Sequence, residues 1–187
     1  MSRPQREWLA GAIYHVFTRG SNRQAIFLYD SDRLDLLACL ARVVEHYALE
    51  CLAYGLMPNH CHYLFRIPDE RLSCAMKALN GRYALRFNQR HERSAHLFRN
   101  RFGAVLQESN EQVLWTARYI VMNPVAADLC SHPEEWPWTS YRATAGLEPA
   151  PTFLSVDALL SYFGDTPQRA VGRYISFIGP VPKIASV

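Results

Sequence analysis

The hydrophobic pattern changes period several times along the chain. Ala12–Arg19 (AIYHVFTR) is β-branched and aromatic and stops at Gly20-Ser21-Asn22, which predicts a strand and a turn. Leu34, Leu37, Leu40, Ala41 and Val44 recur at helical spacing, predicting a helix over about 31–48 with Asp30 and Ser31 as candidate caps. Cys51–Met57 reads as a second strand, Pro58-Asn59 as a tight connection, and His60–Ile67 as a third strand that Pro68 ends. Leu72, Ala75, Met76, Leu79, Tyr83 and Phe87 return every three or four positions, so a helix is expected over about 70–90. Arg101–Gln107 reads as a fourth strand, and Ser109-x-x-Gln112 as a capping box that opens a helix over 110–122. Asn123-Pro124 is expected to end that helix, because the residue before proline avoids the helical region. The order is β-α-β-β-α-β-α. Its first six elements match the ferredoxin-like α+β arrangement, an antiparallel sheet with helices on one face. Residues 1–124 are taken as the principal domain. Residues 125–187, less periodic after Trp138, are taken as an extension packed on it, with a short helix near Ser155–Phe163.

Composition excludes more than it selects. Apolar residues make up 49% of the 187 and charged residues 20%, which excludes a disordered or collagen-like chain. No apolar run approaches the roughly 18 residues of a membrane helix. The N-terminal stretch has charge but no apolar centre, so it does not read as a signal peptide, and the cytosol is the expected compartment. The five cysteines include no C-x-x-C pair and read as buried thiols in a reducing compartment.

The net charge of +3 hides an asymmetry. Residues 66–101 carry eight Arg, Lys77 and three acids, a local +6, whereas 30–58 and 102–187 are each −3. All but two of the 20 basic residues are arginine, which holds phosphate bidentately and stacks on bases. Arg82, Arg86 and Arg90, spaced by four, form a stripe on the expected 70–90 helix. Such a segment is either a phosphate-binding surface or a solvated helix face.

The sharpest local feature is Pro58-Asn59-His60-Cys61-His62-Tyr63-Leu64. On a strand, alternate side chains share a face, which pairs His60 with His62 and Cys61 with Tyr63. Two imidazoles so placed can hold one divalent cation in a partly open site, or can simply hydrogen-bond within the sheet. Tyr119 and Asn123 lie four apart on one helix face, where the amide could reach a metal. A packed aromatic and a helix-end residue would explain the same pair. His15, His46, His91, His96 and His132 show no ligand spacing and read as surface or core residues. Tyr83 lies on the apolar stripe of its helix and reads as core.

Several stretches together resemble REP-associated tyrosine transposases, of the HUH superfamily of single-tyrosine transposases found in small insertion sequences. They are Tyr14–Gly20 (YHVFTRG), Gly55–Leu64 (GLMPNHCHYL), Tyr83 through Phe87-Asn88, Arg118–Ala127 (RYIVMNPVAA) and Trp136–Tyr141 (WPWTSY), in the family's order from about 12 to 142. The resemblance implies that His60 and His62 are paired metal ligands, that Tyr119 is the nucleophile, and that Asn123 stands where relatives place an amide-type third ligand. It also implies a Mg²⁺ or Mn²⁺ cofactor, hairpin DNA of repetitive extragenic palindromes as substrate, and a 5′-phosphotyrosine intermediate. A phenol ordinarily ionises near pH 10, so the metal or a nearby Arg would have to activate it. Arg99 and Arg101, with Arg82, Arg86 and Arg90, would grip phosphates of a strand or stem. Arg19, Asn22 and Arg23 would contact nucleic acid after the first strand. Trp136, Trp138 and Tyr141 would either stack on bases or clasp the extension. A monomer is expected, because the extension would cover the surface a dimer uses; a dimer with the site completed across subunits is the alternative. Two alternatives remain open at this point: a hairpin-binding regulator that does not cleave, and a metal phosphodiesterase that uses water.

Overall fold

A computed structural model describes residues 8–99 and 101–179. Arg3, Arg6 and Lys183, counted in the charge pattern, lie outside the described residues, as do the first seven positions of the N-terminal stretch. The strands are β1 (Ile13–Arg19), β2 (Glu50–Met57), β3 (His60–Arg66) and β4 (Gly103–Gln107). The helices are α1 (Asp30–Tyr47), α2 (Leu72–Arg90), α3 (Asn110–Ala126), α4 (Tyr141–Thr144), α5 (Val156–Leu160) and α6 (Pro167–Ile178). The sheet is antiparallel in the order β2-β3-β1-β4, the arrangement the first six elements predict.

Alternation along the strands divides the molecule into two apolar layers. Tyr14, Val16, Cys61, Tyr63 and Phe65 point to one face and pack with Leu36 and Leu40 of α1 and Met76, Leu79, Tyr83 and Phe87 of α2. Ala53 and Leu64 point to the other face and pack with Val113, Ala117, Ile120 and Val121 of α3. With the seventh element included, helices cover both faces. α1 and α2 hold the expected side. α3 crosses the opposite one, and α5 and α6 build a second core on it through Leu159, Ala170, Tyr174 and Ile178. Pro167 and Gly172 mask helix α6 in the sequence, although Ala170, Tyr174 and Ile178 recur every four residues. Arg118 of α3 donates from Nε to the Phe177 and Ile178 carbonyls (3.1 and 3.0 Å), capping the C-terminal end of α6.

The expected stop at Asn123-Pro124 does not occur. α3 runs through Pro124 to Ala126, and only then do Ala127 N and Leu129 N close on the Asn123 and Pro124 carbonyls. Proline deprives only the Ile120 carbonyl of its helical donor. That carbonyl faces Gly55 of β2 so closely that a Cβ there would stand 3.0 Å from the oxygen. The cost of proline is thus placed where the helix meets a bare strand backbone. The seam between the principal domain and the extension, put at residue 124, falls within this helix.

β2 is an edge strand, and the extension bonds along its outer side. Leu56 N donates to Trp138 O (2.9 Å), Ser140 N to Tyr54 O (3.0 Å) and Ser155 N to Cys51 O (2.8 Å). Trp136 and Trp138 act here as a clasp. Trp136 Nε1 donates to Leu56 O (3.1 Å), and the Arg33 guanidinium lies over both rings. Pairing of this kind removes an open template for intermolecular strand addition. All five cysteines are free; Cys39, Cys51 and Cys61 are buried, whereas Cys74 is exposed.

Candidate active site

β3 presents His60 and His62 to the α3 face, as the period-two spacing predicts, with Cys61 and Tyr63 turned into the other core. Their rings are 4.9 Å apart. Register then adds two residues of β1: Phe17 stands opposite His62 and Arg19 opposite His60. α3 crosses above and sets Tyr119 edge-on to His62, with ring centroids 5.3 Å apart. Tyr119 is 50% exposed. The crossing is close because Gly55, the β2 partner of His62, has no side chain to hold Ile120 away. On the other side the Phe17 ring lies over Gly103, where a Cβ would meet the ring at 2.2 Å. Asn123, one turn beyond Tyr119, brings its amide beside the His60 ring.

His15 joins this cluster, against the expectation that it is an ordinary surface or core residue. Its Nε2 lies 2.9 Å from His62 Nδ1, and its ring is 5.8 Å from Tyr119. Asn59 also has a role that the sequence left unread: its Oδ1 lies 2.6 Å from His60 Nδ1, and its Nδ2 donates to Arg23 O (3.1 Å). Each histidine of the pair thus has a partner at Nδ1, the arrangement that orients metal-binding imidazoles.

Burial dominates the electrostatics. It lowers His62 to about 3, helped by the neighbouring His15, His60 and Arg19, and it lowers His15 to about 4. His60 is lowered by burial and by the Arg19 charge, against the pull of Asn123. All three rings are therefore neutral near pH 7, the form that binds metal. His62 Nε2 is buried with no hydrogen-bond partner. A divalent cation fits this donor set: two neutral imidazoles, one with a buried unpartnered nitrogen, and an amide beside them. No group of three His, Cys, Asp or Glu side chains able to hold a metal occurs among the described residues, so an oxygen from Asn123 would have to complete the set.

The arginines separate into two groups. Arg19, Asn22, Arg23 and Arg99 are exposed at the His60 end of the sheet, where Arg99 N donates to Arg19 O (3.0 Å). Asn22 and Arg23 hold left-handed backbone (φ 51° and 58°), and the Arg23 carbonyl is the one that Asn59 bonds. Arg101 borders a cavity of about 480 Å³ with Lys77, Asn80 and Phe98. Arg19, Arg23, Arg99 and Arg101 form no ion pair among the described residues. The stripe of Arg82, Arg86 and Arg90 lies instead on the α1–α2 layer, across the sheet from Tyr119. Arg86 pairs with Asp35 (2.8 Å), and Arg90 pairs with Asp32 (2.7 Å) and Asp35. The acids of α1 take up charge that the sequence leaves looking unpaired. Tyr83 is fully buried, as its apolar stripe indicates. No helix among the described residues is long and apolar enough to cross a membrane.

Comparisons with known proteins bear on the family and the fold. A Haemophilus influenzae protein named as a REP-associated tyrosine transposase is 22% identical over 152 residues, covering 75% of this chain and 86% of its own. The solved structure of a REP-associated tyrosine transposase bound to a REP hairpin superposes with a TM-score of 0.67 at 18% identity, over 83% of this chain and 92% of that one. The family model of IS200-like transposases matches residues 9–124, from four residues before β1 through the histidine strand into the tyrosine helix. On that match the chain belongs to the IS200-like transposase family, whose members are tyrosine transposases that nick and join DNA.

Proposed function

We propose that this chain is a REP-associated tyrosine transposase, a metal-dependent single-strand endonuclease and strand transferase acting on hairpin DNA through a 5′-phosphotyrosine. The observation that carries this reading is the exposed Tyr119 set 5.3 Å from the buried, neutral His62. Tyr119 Oη attacks the scissile phosphorus in line. The P–O3′ bond breaks and leaves a free 3′-hydroxyl, with the chain linked to the 5′-phosphate. The new phosphoester keeps the energy of the old one, so the step reverses into joining. His60, His62 and the Asn123 amide would hold Mg²⁺ or Mn²⁺; when bound, the ion supplies polarisation of the phosphodiester. Arg19, facing His60 across the register, and Arg99 beside it hold the phosphates that flank the cleaved bond. Asn22 and Arg23 extend that contact, and Arg101 reaches the strand from the α2 side. Arg86 and Arg90 are left out of this surface, because their ion pairs with α1 serve the fold, and Arg82 is left out with them because it lies on the same helix, across the sheet from Tyr119. The covered edge of β2 supports a monomer, and the free thiols suit the cytosol as its workplace.

The test is incubation of the protein and Mn²⁺ with a labelled hairpin bearing a single-stranded flank, followed by denaturing electrophoresis and peptide mapping. A covalent adduct on the peptide containing Tyr119 is expected. Cleavage with no adduct would show that water is the nucleophile, and tight binding with no cleavage would show a regulator.

Two further outcomes follow from the same site. Gly55→Ala puts a methyl against the Ile120 backbone and forces α3 back by a few tenths of an ångström. Cleavage should slow by about tenfold with hairpin affinity unchanged, since misplacing a reacting group by 1 Å costs on the order of a hundredfold. Arg19→Ala and Arg99→Ala should each weaken hairpin binding across all sequences and lower the slope of log K against log salt by about 1. A binding titration at four salt concentrations checks this.

A further inference from the structure

The two site histidines differ in how clearly their protons are placed. At His60 the choice is forced. Asn59 Nδ2 donates to the Arg23 carbonyl, so its Oδ1 faces His60 Nδ1 as an acceptor at 2.6 Å. His60 therefore carries its proton on Nδ1 and keeps a lone pair on Nε2. At His62 the partner is another imidazole, His15, whose Nε2 lies 2.9 Å from His62 Nδ1. Either ring could donate. If His15 donated, the only proton of a neutral His62 would sit on Nε2, which is buried and has no acceptor. A buried N–H with no acceptor carries the full desolvation cost of that group, which disfavours this tautomer. If His62 donated, Nε2 would hold a lone pair, and His15 would carry its own proton on Nδ1. His15 borders an open cavity of about 440 Å³ with Gln107, Thr116 and Tyr119, so Nδ1 need not be buried without a partner.

We infer that His15 is a positioning residue. It accepts from His62 Nδ1–H and fixes the tautomer that leaves the His62 Nε2 lone pair free for a cation, as Asn59 does for His60. The geometry supports this by itself. Its catalytic meaning rests on the metal-dependent reading above. The two rings meet nitrogen to nitrogen with centroids 5.0 Å apart and planes at 30°, so the contact that sets the proton also holds the ring's orientation. No atom of His15 needs to touch the substrate.

The test has two arms, neither of which uses DNA. In the metal-free protein, ¹⁵N NMR of the imidazoles, assigned by loss of signals in His62→Gln, should show His62 protonated on Nδ1 and bare at Nε2. Observation of Nε2–H at His62 would overturn the inference whatever the metal data show. In the second arm, Mn²⁺ is titrated calorimetrically into wild type, His15→Gln and His15→Phe, with circular dichroism confirming each fold. His15→Gln keeps an acceptor and should bind within about threefold of wild type. His15→Phe removes it and should bind roughly 10–100-fold more weakly, the usual effect of losing such a partner. Equal binding by wild type and His15→Phe would overturn the positioning role. A wild type that binds no Mn²⁺ would instead overturn the metal-dependent function, and the tautomer measurement would still decide the role of His15.

Discussion

Tyr119→Phe is expected to bind a hairpin substrate as tightly as wild type while losing the covalent protein–DNA adduct and reducing strand cleavage by roughly a thousandfold or more. The change removes one oxygen. The ring is half exposed and contributes little to the core, so neither fold nor melting temperature should move. The ring also keeps its edge-on contacts with His15 and His62, which need no hydroxyl. The loss therefore reports chemistry alone. A mobility-shift titration gives the affinity, and denaturing electrophoresis with Mn²⁺ gives the adduct and the nick. If Tyr119→Phe nicked the hairpin at the wild-type rate, the nucleophile would be water or another residue. Tyr83 is a poor candidate for that role, since it is fully buried and its hydroxyl donates to the Ile26 carbonyl.

Asp32→Ala should have the largest effect on stability, about 3 kcal/mol, because it removes the centre of a buried charge network and leaves its partners unmatched. In a chain of this size that corresponds to a melting temperature lower by about 6–12 °C. The Asp32 side chain is fully buried and joins three elements. Its Oδ2 accepts from Leu28 N and Tyr29 N (2.9 and 3.0 Å), and its Oδ1 accepts from Arg90 (2.7 Å) and His91 Nε2 (2.9 Å). Burial alone would raise its pKa, but the hydrogen bonds from His91, Leu28, Arg90 and Tyr29 outweigh burial and lower it to about 2. A carboxylate with a depressed folded-state pKa contributes stability that is present above its unfolded value of 3.8 and is lost as pH falls through about 2. Wild type should therefore lose this contribution between about pH 4 and 2, and Asp32→Ala should show a shallower acid dependence across that window. Urea denaturation at pH 7 and along an acid series measures both. Asp32→Asn keeps the shape without the charge and should fall between the two.

Asp32 also ties the charge pattern of the chain to the packing of α1 on α2. Arg82, Arg86 and Arg90 are spaced by four and do form a stripe, as helical geometry requires. What they face depends on α1. Helix α1 brings Asp32 and Asp35 to two of them, and those acids stand 50 or more positions earlier in the sequence. The +6 segment thus includes structural charge on one face of the sheet. Arg99 and Arg101, which form no ion pair among the described residues, lie at its C-terminal end.

Local spacing determined a good deal. A period of two on β3 sets His60 and His62 on one face and Cys61 and Tyr63 on the other. A spacing of four on α3 sets Asn123 one turn from Tyr119. These are properties of a single element, so the order of residues suffices to state them. The tertiary structure alone decided what each face meets. His15 enters the site from 47 positions before His62, through a strand register that no local pattern encodes. Gly55 matters only because the Ile120 carbonyl, left without its helical donor by Pro124, comes down on it. The rule for the residue before proline, a local preference, would end α3 at Asn123-Pro124. The packing of α3 on a bare stretch of β2 overrode it. Periodicity reports the direction in which a side chain leaves its own backbone. Partners are chosen by register and packing between segments far apart in the chain, and the proton, charge and distance relationships of the site arise there.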